Sequence, residues 1–225
     1  MTSPLLLEAR HVSRMLSGEV PVMLVRDASL SIKAGEFVAI TGPSGSGKSS
    51  LLYLLGLLDQ PSSGQVVVEE QDTAIMSEAK LAQLRLAKLG FVFQFHFLLP
   101  EFTALENVML PMQRLGKRSE KEQRERAEQI LDDMGLSDQK HKLPKQMSGG
   151  QCQRVAIGRA LANDPVLILA DEPTGNLDSV SSGIVQDILK DLAHKKGCAV
   201  VAVTHDLSFA DLADRRIHIV DGRIT

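Results

Sequence analysis

Gly42-Pro43-Ser44-Gly45-Ser46-Gly47-Lys48-Ser49 is the stretch on which the reading of the fold turns. Immediately before it, Glu36-Phe37-Val38-Ala39-Ile40-Thr41 reads as a buried strand. Immediately after it, Ser50 to Leu58 is apolar enough to form a helix packed on a sheet. Strand, glycine-rich loop and helix in that order open a parallel α/β core. The loop carries the full spacing G-x-x-x-x-G-K-[ST]. Glycines let the backbone curl until successive N–H groups face phosphate oxygens, and the helix behind adds its positive end. Lys48 is spaced to reach the outer phosphates of a nucleotide, and the Ser49 hydroxyl to ligate Mg²⁺.

Working outward, residues 5–33 predict short antiparallel strands, Leu5–Ala9 and Ala28–Ile32, about a turn at Ser17-Gly18-Glu19. Residues 59–75 predict a further strand pair around Ser62-Ser63-Gly64. A helix is expected over Ser77–Ala87 and a strand over Gly90–Phe95. The chain then becomes helical and more charged over residues 100–160. Within it, Ser119 and Glu122 have capping-box spacing for a helix reaching about Met134. Strand, helix and strand return over Val166–Ala170, Val180–Lys195 and Ala199–Val203, and Ile217–Val220 before Asp221-Gly222 closes the pattern. The expected architecture is α/β: a parallel-sheet core, an N-terminal antiparallel β layer and an inserted α-helical lobe. Residues 1–225 form a single domain, with a core lobe of 1–99 and 161–225 and a helical lobe of 100–160.

The chain has 225 residues, a formal net charge of -3 and a pI near 6.1, a balance that argues against a nucleic-acid partner. The basic residues Arg114, Lys117, Arg118, Lys121, Arg124 and Arg126 interleave with Glu120, Glu122 and Glu125, as on a solvated helix. Two cysteines, Cys152 and Cys198, give no disulfide framework and fit reduced thiols. Met1–Arg10 is a poor secretion signal, and no apolar run is long enough to span a bilayer. Any work at a membrane therefore requires another chain as anchor.

Two further stretches carry chemistry. Val166-Leu167-Ile168-Leu169-Ala170-Asp171-Glu172 is an apolar strand ending in two carboxylates. Asp171 is placed to hold Mg²⁺ and Glu172 to orient an attacking water. Ser148-Gly149-Gly150-Gln151 opens a helix, and its amides form a second anion site; an N-cap behind a glycine-rich turn is the plainer reading.

With these residues in view, the chain resembles the ATP-binding-cassette (ABC) transporter ATPases over essentially its whole length. Met147-Ser148-Gly149-Gly150-Gln151 is similar to the family signature L-S-G-G-Q, with Met for Leu. Gln94 after Phe91-Val92-Phe93 resembles the Q-loop glutamine, Asn176-Leu177-Asp178 the D-loop, and His205 after Val203-Thr204 the switch histidine. The resemblance implies an ATPase using ATP and Mg²⁺. Gly42, Pro43, Ser44, Gly45, Ser46, Gly47, Lys48, Ser49 and Ser50 would hold the nucleotide. Ser49, Gln94 and Asp171 would face the metal. Glu172, His205 and Lys48 would carry catalysis. Ser148, Gly149, Gly150, Gln151 and Asp178 would reach a second copy across a head-to-tail, ATP-sandwiched homodimer.

Leu16 falls where the family commonly has an adenine-stacking aromatic, so weak discrimination between ATP and GTP is expected. Cys152, unusual after the signature, reads as a small helix residue. Gln94 through Val108 is similar to the lipoprotein-releasing branch, and Asp171–Asp178 is shared with a wider group that includes macrolide exporters. That branch implies a cytoplasmic-face, peripheral position at the bacterial inner membrane. Integral-membrane permease subunits would dock near Gln94–Phe102, on Phe95, Phe97, Leu98, Leu99 and Phe102. Other cargoes in the same architecture are haem, macrolides or antimicrobial peptides. A soluble cassette acting on nucleic acid or ribosomes is the reading from another class.

Overall fold

A computed structural model describes residues 4–18 and 20–225. The Met1–Arg10 leader reading and the Ser17–Glu19 turn therefore lie partly outside the described residues. Two strands of 12 residues each, β1 (Leu5–Leu16) and β2 (Val22–Lys33), form a long antiparallel hairpin. They replace the short strands expected from local alternation. With β4 (Ser63–Val68) and β5 (Gln71–Asp72) they make a four-stranded sheet of order β2-β1-β4-β5.

The expected turn at Ser62–Gly64 is not a hairpin turn. Gly64, with φ +80°, lies where β4 presses on β1, and a Cβ there would sit 2.2 Å from the His11 carbonyl oxygen. The reversal falls instead at Glu69 and Glu70, both left-handed at φ +45° and +65°.

The second sheet is built from β3 (Phe37–Thr41), β6 (Leu89–Phe93), β7 (Leu167–Asp171), β8 (Ala199–Val203), β9 (Arg215–Val220) and β10 (Arg223–Ile224). Its order is β10-β9-β3-β8-β7-β6, with every pair parallel except β10 against β9. Strands β3, β7 and β8 are buried at every position, as parallel strands covered on both faces must be.

Alternate residues serve different cores. Val38, Ile40, Leu167, Leu169, Val201 and Val203 join a cluster under the four-stranded sheet and α1 (Lys48–Leu55). Phe37, Ile168, Ala170, Val200 and Ala202 join a second cluster on the opposite face. That cluster runs on into α3 (Ala104–Leu115), α4 (Glu120–Asp133), α5 (Gly149–Leu161) and α6 (Ser179–His194). Helix α2 (Glu78–Lys88), capped by Ser77, precedes β6, and α7 (Leu207–Ala210) follows β8.

The register decides where the chemistry collects. Ile40 pairs with Val203, Val203 with Asp171 and Asp171 with Phe93, so four strand ends lie in one row. The residues that follow each end are Gly42, His205, Glu172 and Gln94. All four emerge at the carboxyl edge of the sheet, where open α/β folds place their ligands.

Candidate functional site

The loop from Gly42 to Ser49 takes its shape from its glycines. Gly42, Gly45 and Gly47 have φ of +147°, +76° and +98°. Cβ atoms at Gly42 and Gly47 would lie 2.1 Å from the Ile219 oxygen and 2.2 Å from the Leu24 oxygen. Both positions are closed to any side chain by backbone that packs against the loop. Gly47 is the N-cap of α1, so the loop runs directly into the helix N-terminus.

Lys48 Nζ donates to the carbonyls of Gly42 at 3.0 Å and Pro43 at 2.8 Å, so its ammonium lies over the loop. The Ser46 hydroxyl is buried in the loop and has no hydrogen-bond partner. A left-handed glycine cradle, an overlying ammonium and an orphaned buried hydroxyl together fit a polyphosphate.

The Ser49 hydroxyl donates to Asp171 Oδ1 at 2.9 Å, which brings two of the three residues assigned to Mg²⁺ into direct contact, while the third, Gln94, bonds Asn176 instead. Hydroxyl and carboxylate oxygens are the hard donors this ion prefers, with substrate phosphates completing its shell. Sequence reading did not find Tyr53, whose hydroxyl donates to Asp171 Oδ2 at 2.9 Å. Burial, reinforced by this bond to a carboxylate, pushes the phenol up to about 12.

Glu172 has φ +47°, a left-handed backbone that β-strand exits rarely adopt outside glycine. Its amide donates to Val203 O at 3.0 Å and its carbonyl accepts from the Gly175 amide at 3.0 Å, and these bonds hold the turn. The carboxylate points toward β8, where His205 Nδ1 lies 2.9 Å from Glu172 Oε2. The histidine is largely exposed and the glutamate mostly buried.

Gln94 Nε2 donates to Asn176 Oδ1 at 3.0 Å, and Asn176 Nδ2 donates back to the Gln94 carbonyl at 3.5 Å. Gly175 is small because this side chain lies over it: a Cβ there would meet Gln94 Nε2 at 2.9 Å. The sequence marks Asn176 as a D-loop residue, and the fold adds its bond to Gln94.

Ser148 is the N-cap of α5 in a full capping box: its Oγ accepts from the Gln151 amide, and Gln151 Oε1 accepts from the Ser148 amide. Gly150 is buried against Ser181, and a Cβ there would meet Ser181 Oγ at 2.3 Å. Asp178 caps α6 through Ser181, and these bonds from the Ser181 amide and hydroxyl hold its carboxyl below the usual range. The N-termini of α5 and α6 are thereby packed side by side. Among the described residues, no hydrogen bond joins Ser148–Gln151 to Gly42–Ser50. Leu16 ends β1 opposite Val22 and is half exposed.

Beyond Gln94, the segment to Phe102 is exposed but fixed. Phe95, Phe97, Leu99 and Phe102 are exposed, and Leu98 packs into the core. Arg159 donates to the carbonyls of His96 and Phe97, both at 2.7 Å. The fully buried Asn107 accepts from the Leu99 amide, and its Nδ2, with two N–H groups, lies within 3.1 Å of the carbonyls of Leu99, Phe102 and Thr103.

A parallel sheet that presents such a loop, carboxylates and histidine along one edge defines the P-loop nucleoside triphosphatases. Residues 25–175 match the ABC transporter family, and the chain belongs to that family as one of its ATPase domains. It is 52% identical over 93% of its length to a protein named lipoprotein-releasing system ATP-binding protein LolD 1 of Chlorobium chlorochromatii, covering 85% of that protein. It is 48% identical over 97% of its length to LolD of Aquifex aeolicus, covering 96% of it. Among solved structures it is similar to the ATP-binding cassette MJ0796, described as dimeric in a post-hydrolysis state with ADP and Pi. That match has a TM-score of 0.89 and 42% identity, and covers 97% of this chain and 96% of the other.

Proposed function

We propose that this chain is the ATP-hydrolysing subunit of a complex that releases lipoproteins from the inner membrane, working as an ATP-sandwiched homodimer under integral-membrane permease subunits. The observation that carries the cargo is the similarity to relatives named as lipoprotein-releasing ATP-binding proteins, at 48–52% identity across nearly the whole chain. The exposed aromatic segment after Gln94 supports the docking surface. No helix among the described residues is long and apolar enough to cross a membrane, so a peripheral position at the cytoplasmic face depends on that docking.

In this reading the loop amides and Lys48 bind the β- and γ-phosphates, Ser49 and Asp171 would hold Mg²⁺, and Gln94 would turn from Asn176 to face it. Mg²⁺ held by these residues would supply charge neutralisation at the phosphoryl group. Glu172 accepts a hydrogen bond from the attacking water and aligns it, and His205 fixes the carboxylate from the neighbouring strand. Ser148, Gly149, Gly150, Gln151 and Asp178 would face the γ-phosphate of a second copy, a reading supported by the lack, among the described residues, of any hydrogen bond from Ser148–Gln151 to Gly42–Ser50 within one chain. Leu16 offers the base only aliphatic contact, so affinity rests on the phosphates. Residues 100–160 form the helical signature lobe and 1–99 with 161–225 the catalytic core lobe of one ATPase domain.

The test is a Glu172→Gln protein reconstituted with the co-purifying membrane subunits in lipoprotein-loaded proteoliposomes. Turnover is expected to fall by about 10²–10⁴-fold, with ATP still bound, ATP-dependent dimers accumulating, and lipoprotein release lost. Wild-type turnover in this variant would remove Glu172 from its role. Co-purification with nucleic acid in place of membrane subunits would remove the transporter reading.

A further inference from the structure

We propose that Tyr53 is a positioning residue for Mg²⁺ at this site, fixing the Asp171 carboxylate through a hydrogen bond to the oxygen that Ser49 does not engage. This rests on the reading that Ser49 and Asp171 hold the metal. Ser49 and Tyr53 are four residues apart on α1, so both hydroxyls project from the same face of the helix. They reach Asp171 from one side, Ser49 to Oδ1 and Tyr53 to Oδ2, each at 2.9 Å.

The carboxylate they grip is nearly buried, at 9% exposure. A buried carboxylate needs donors for its oxygens and a partner for its charge. The two hydroxyls supply the donors. The charge has no partner: among the described residues, no Lys, Arg or His forms an ion pair with Asp171. A bound cation would balance this charge, and the two donors fix the plane of the carboxylate that would meet it.

The Tyr53 ring is wedged against the core cluster beneath the four-stranded sheet. The hydroxyl is thus held at the tip of a rigid arm. A donor placed this way keeps Oδ1 aimed at Ser49 and prevents the carboxylate from rotating away. Partners that orient a metal-binding carboxylate are worth about 10–100-fold in metal affinity.

Tyr53→Phe removes one oxygen and keeps the ring. The readout is Mn²⁺ binding by electron paramagnetic resonance, in the presence of ATP and in a Glu172→Gln background that does not consume it. In that background the expected result is Mn²⁺ affinity roughly 10-fold weaker, with ATP binding in EDTA unchanged; the single Tyr53→Phe protein, with Glu172 intact, is expected to need roughly 10-fold more Mg²⁺ for half-maximal hydrolysis. Unchanged Mn²⁺ affinity overturns the proposal. Equal losses of Mn²⁺ and metal-free ATP binding also overturn it, since they mark a disturbed loop. If the Tyr53-containing parent itself binds no Mn²⁺ with ATP, the metal assignment of Ser49 and Asp171 has failed instead.

A second measurement needs no variant, because the chain has one tyrosine and no tryptophan. Tyrosine emission reports Tyr53 alone. It is expected to change when Mg²⁺ is added to the ATP-loaded protein, and emission indifferent to the metal counts against the role.

Discussion

At the scale of single residues, the glycines of the 42–49 loop divide into two kinds. A Cβ at Gly42 or Gly47 would collide with a backbone carbonyl oxygen, which cannot rotate aside. Gly45 has φ +76° and nothing within 4 Å of its would-be Cβ, so only the left-handed backbone penalises a side chain there. Gly45→Ala is therefore expected to cost about 1–2 kcal/mol, while Gly42→Ala and Gly47→Ala cost more than about 4 kcal/mol or prevent folding. Urea unfolding of the three nucleotide-free variants checks this, and equal losses at all three would refute the division. The loop was legible in the sequence because its conformational demands are local and written in residue type at fixed spacing. Tyr53 was not legible, because its partner Asp171 is 118 residues away and only the fold brings them together. The bond between Gln94 and Asn176, 82 residues apart, escaped for the same reason although both residues were singled out.

At the scale of elements, capping chemistry was readable where both partners lie within one turn. Ser119 with Glu122 forms the expected box, and α4 ends at Asp133 with Met134 as its C-cap. Thr103 with Glu106 forms another at the start of α3, directly after the exposed aromatic segment. The Thr103 hydroxyl and amide both donate to Glu106 Oε2 at 2.7 Å, and hold its carboxyl below the usual glutamate range. A carboxyl lowered in the folded state stabilises above its unfolded pKa, and that contribution is lost as pH falls through the folded value.

Thr103→Ala is accordingly expected to destabilise the chain by about 1 kcal/mol at pH 7. The gap to the parent should narrow as pH falls below the ordinary glutamate range of about 4.3 toward the lowered value of folded Glu106. Denaturant titrations at pH 7 and pH 3.5 measure both gaps, and a gap that widens with acid would be the wrong sign. Strand pairing was less legible than capping. Gly64 resembles a turn residue by type, yet its role is close approach to His11, while the true reversal uses two glutamates in left-handed conformations that residue type does not advertise.

At the scale of the whole molecule, the sheet edge and the aromatic segment are parts of one unit. Gln94 begins at the site and, eight residues later, Phe102 ends the exposed surface. Between them, Arg159 from α5 and Asn107 from α3 hold the backbone. Phe95 and Phe97 are 61% and 63% exposed, so they contribute little to the core and carry apolar area free for a partner. The Phe97 ring leans edge-on against Phe93 at the end of β6, which connects the surface to the strand that delivers Gln94.

Replacing both by serine leaves the carbonyls of His96 and Phe97 bound by Arg159, since those are backbone groups. The Phe95→Ser, Phe97→Ser protein is therefore expected to keep its unfolding free energy within about 1 kcal/mol of the parent, and its basal ATPase. Its capture of the membrane subunits in detergent should fall by at least about tenfold, the equivalent of 1.4 kcal/mol. Co-purification and basal ATPase measured on one preparation separate the outcomes. Capture at the parent level would move the docking surface elsewhere. Joint loss of capture, ATPase and stability would mean that the rings fill the joint between the helices and the sheet, and that their exposure serves no partner.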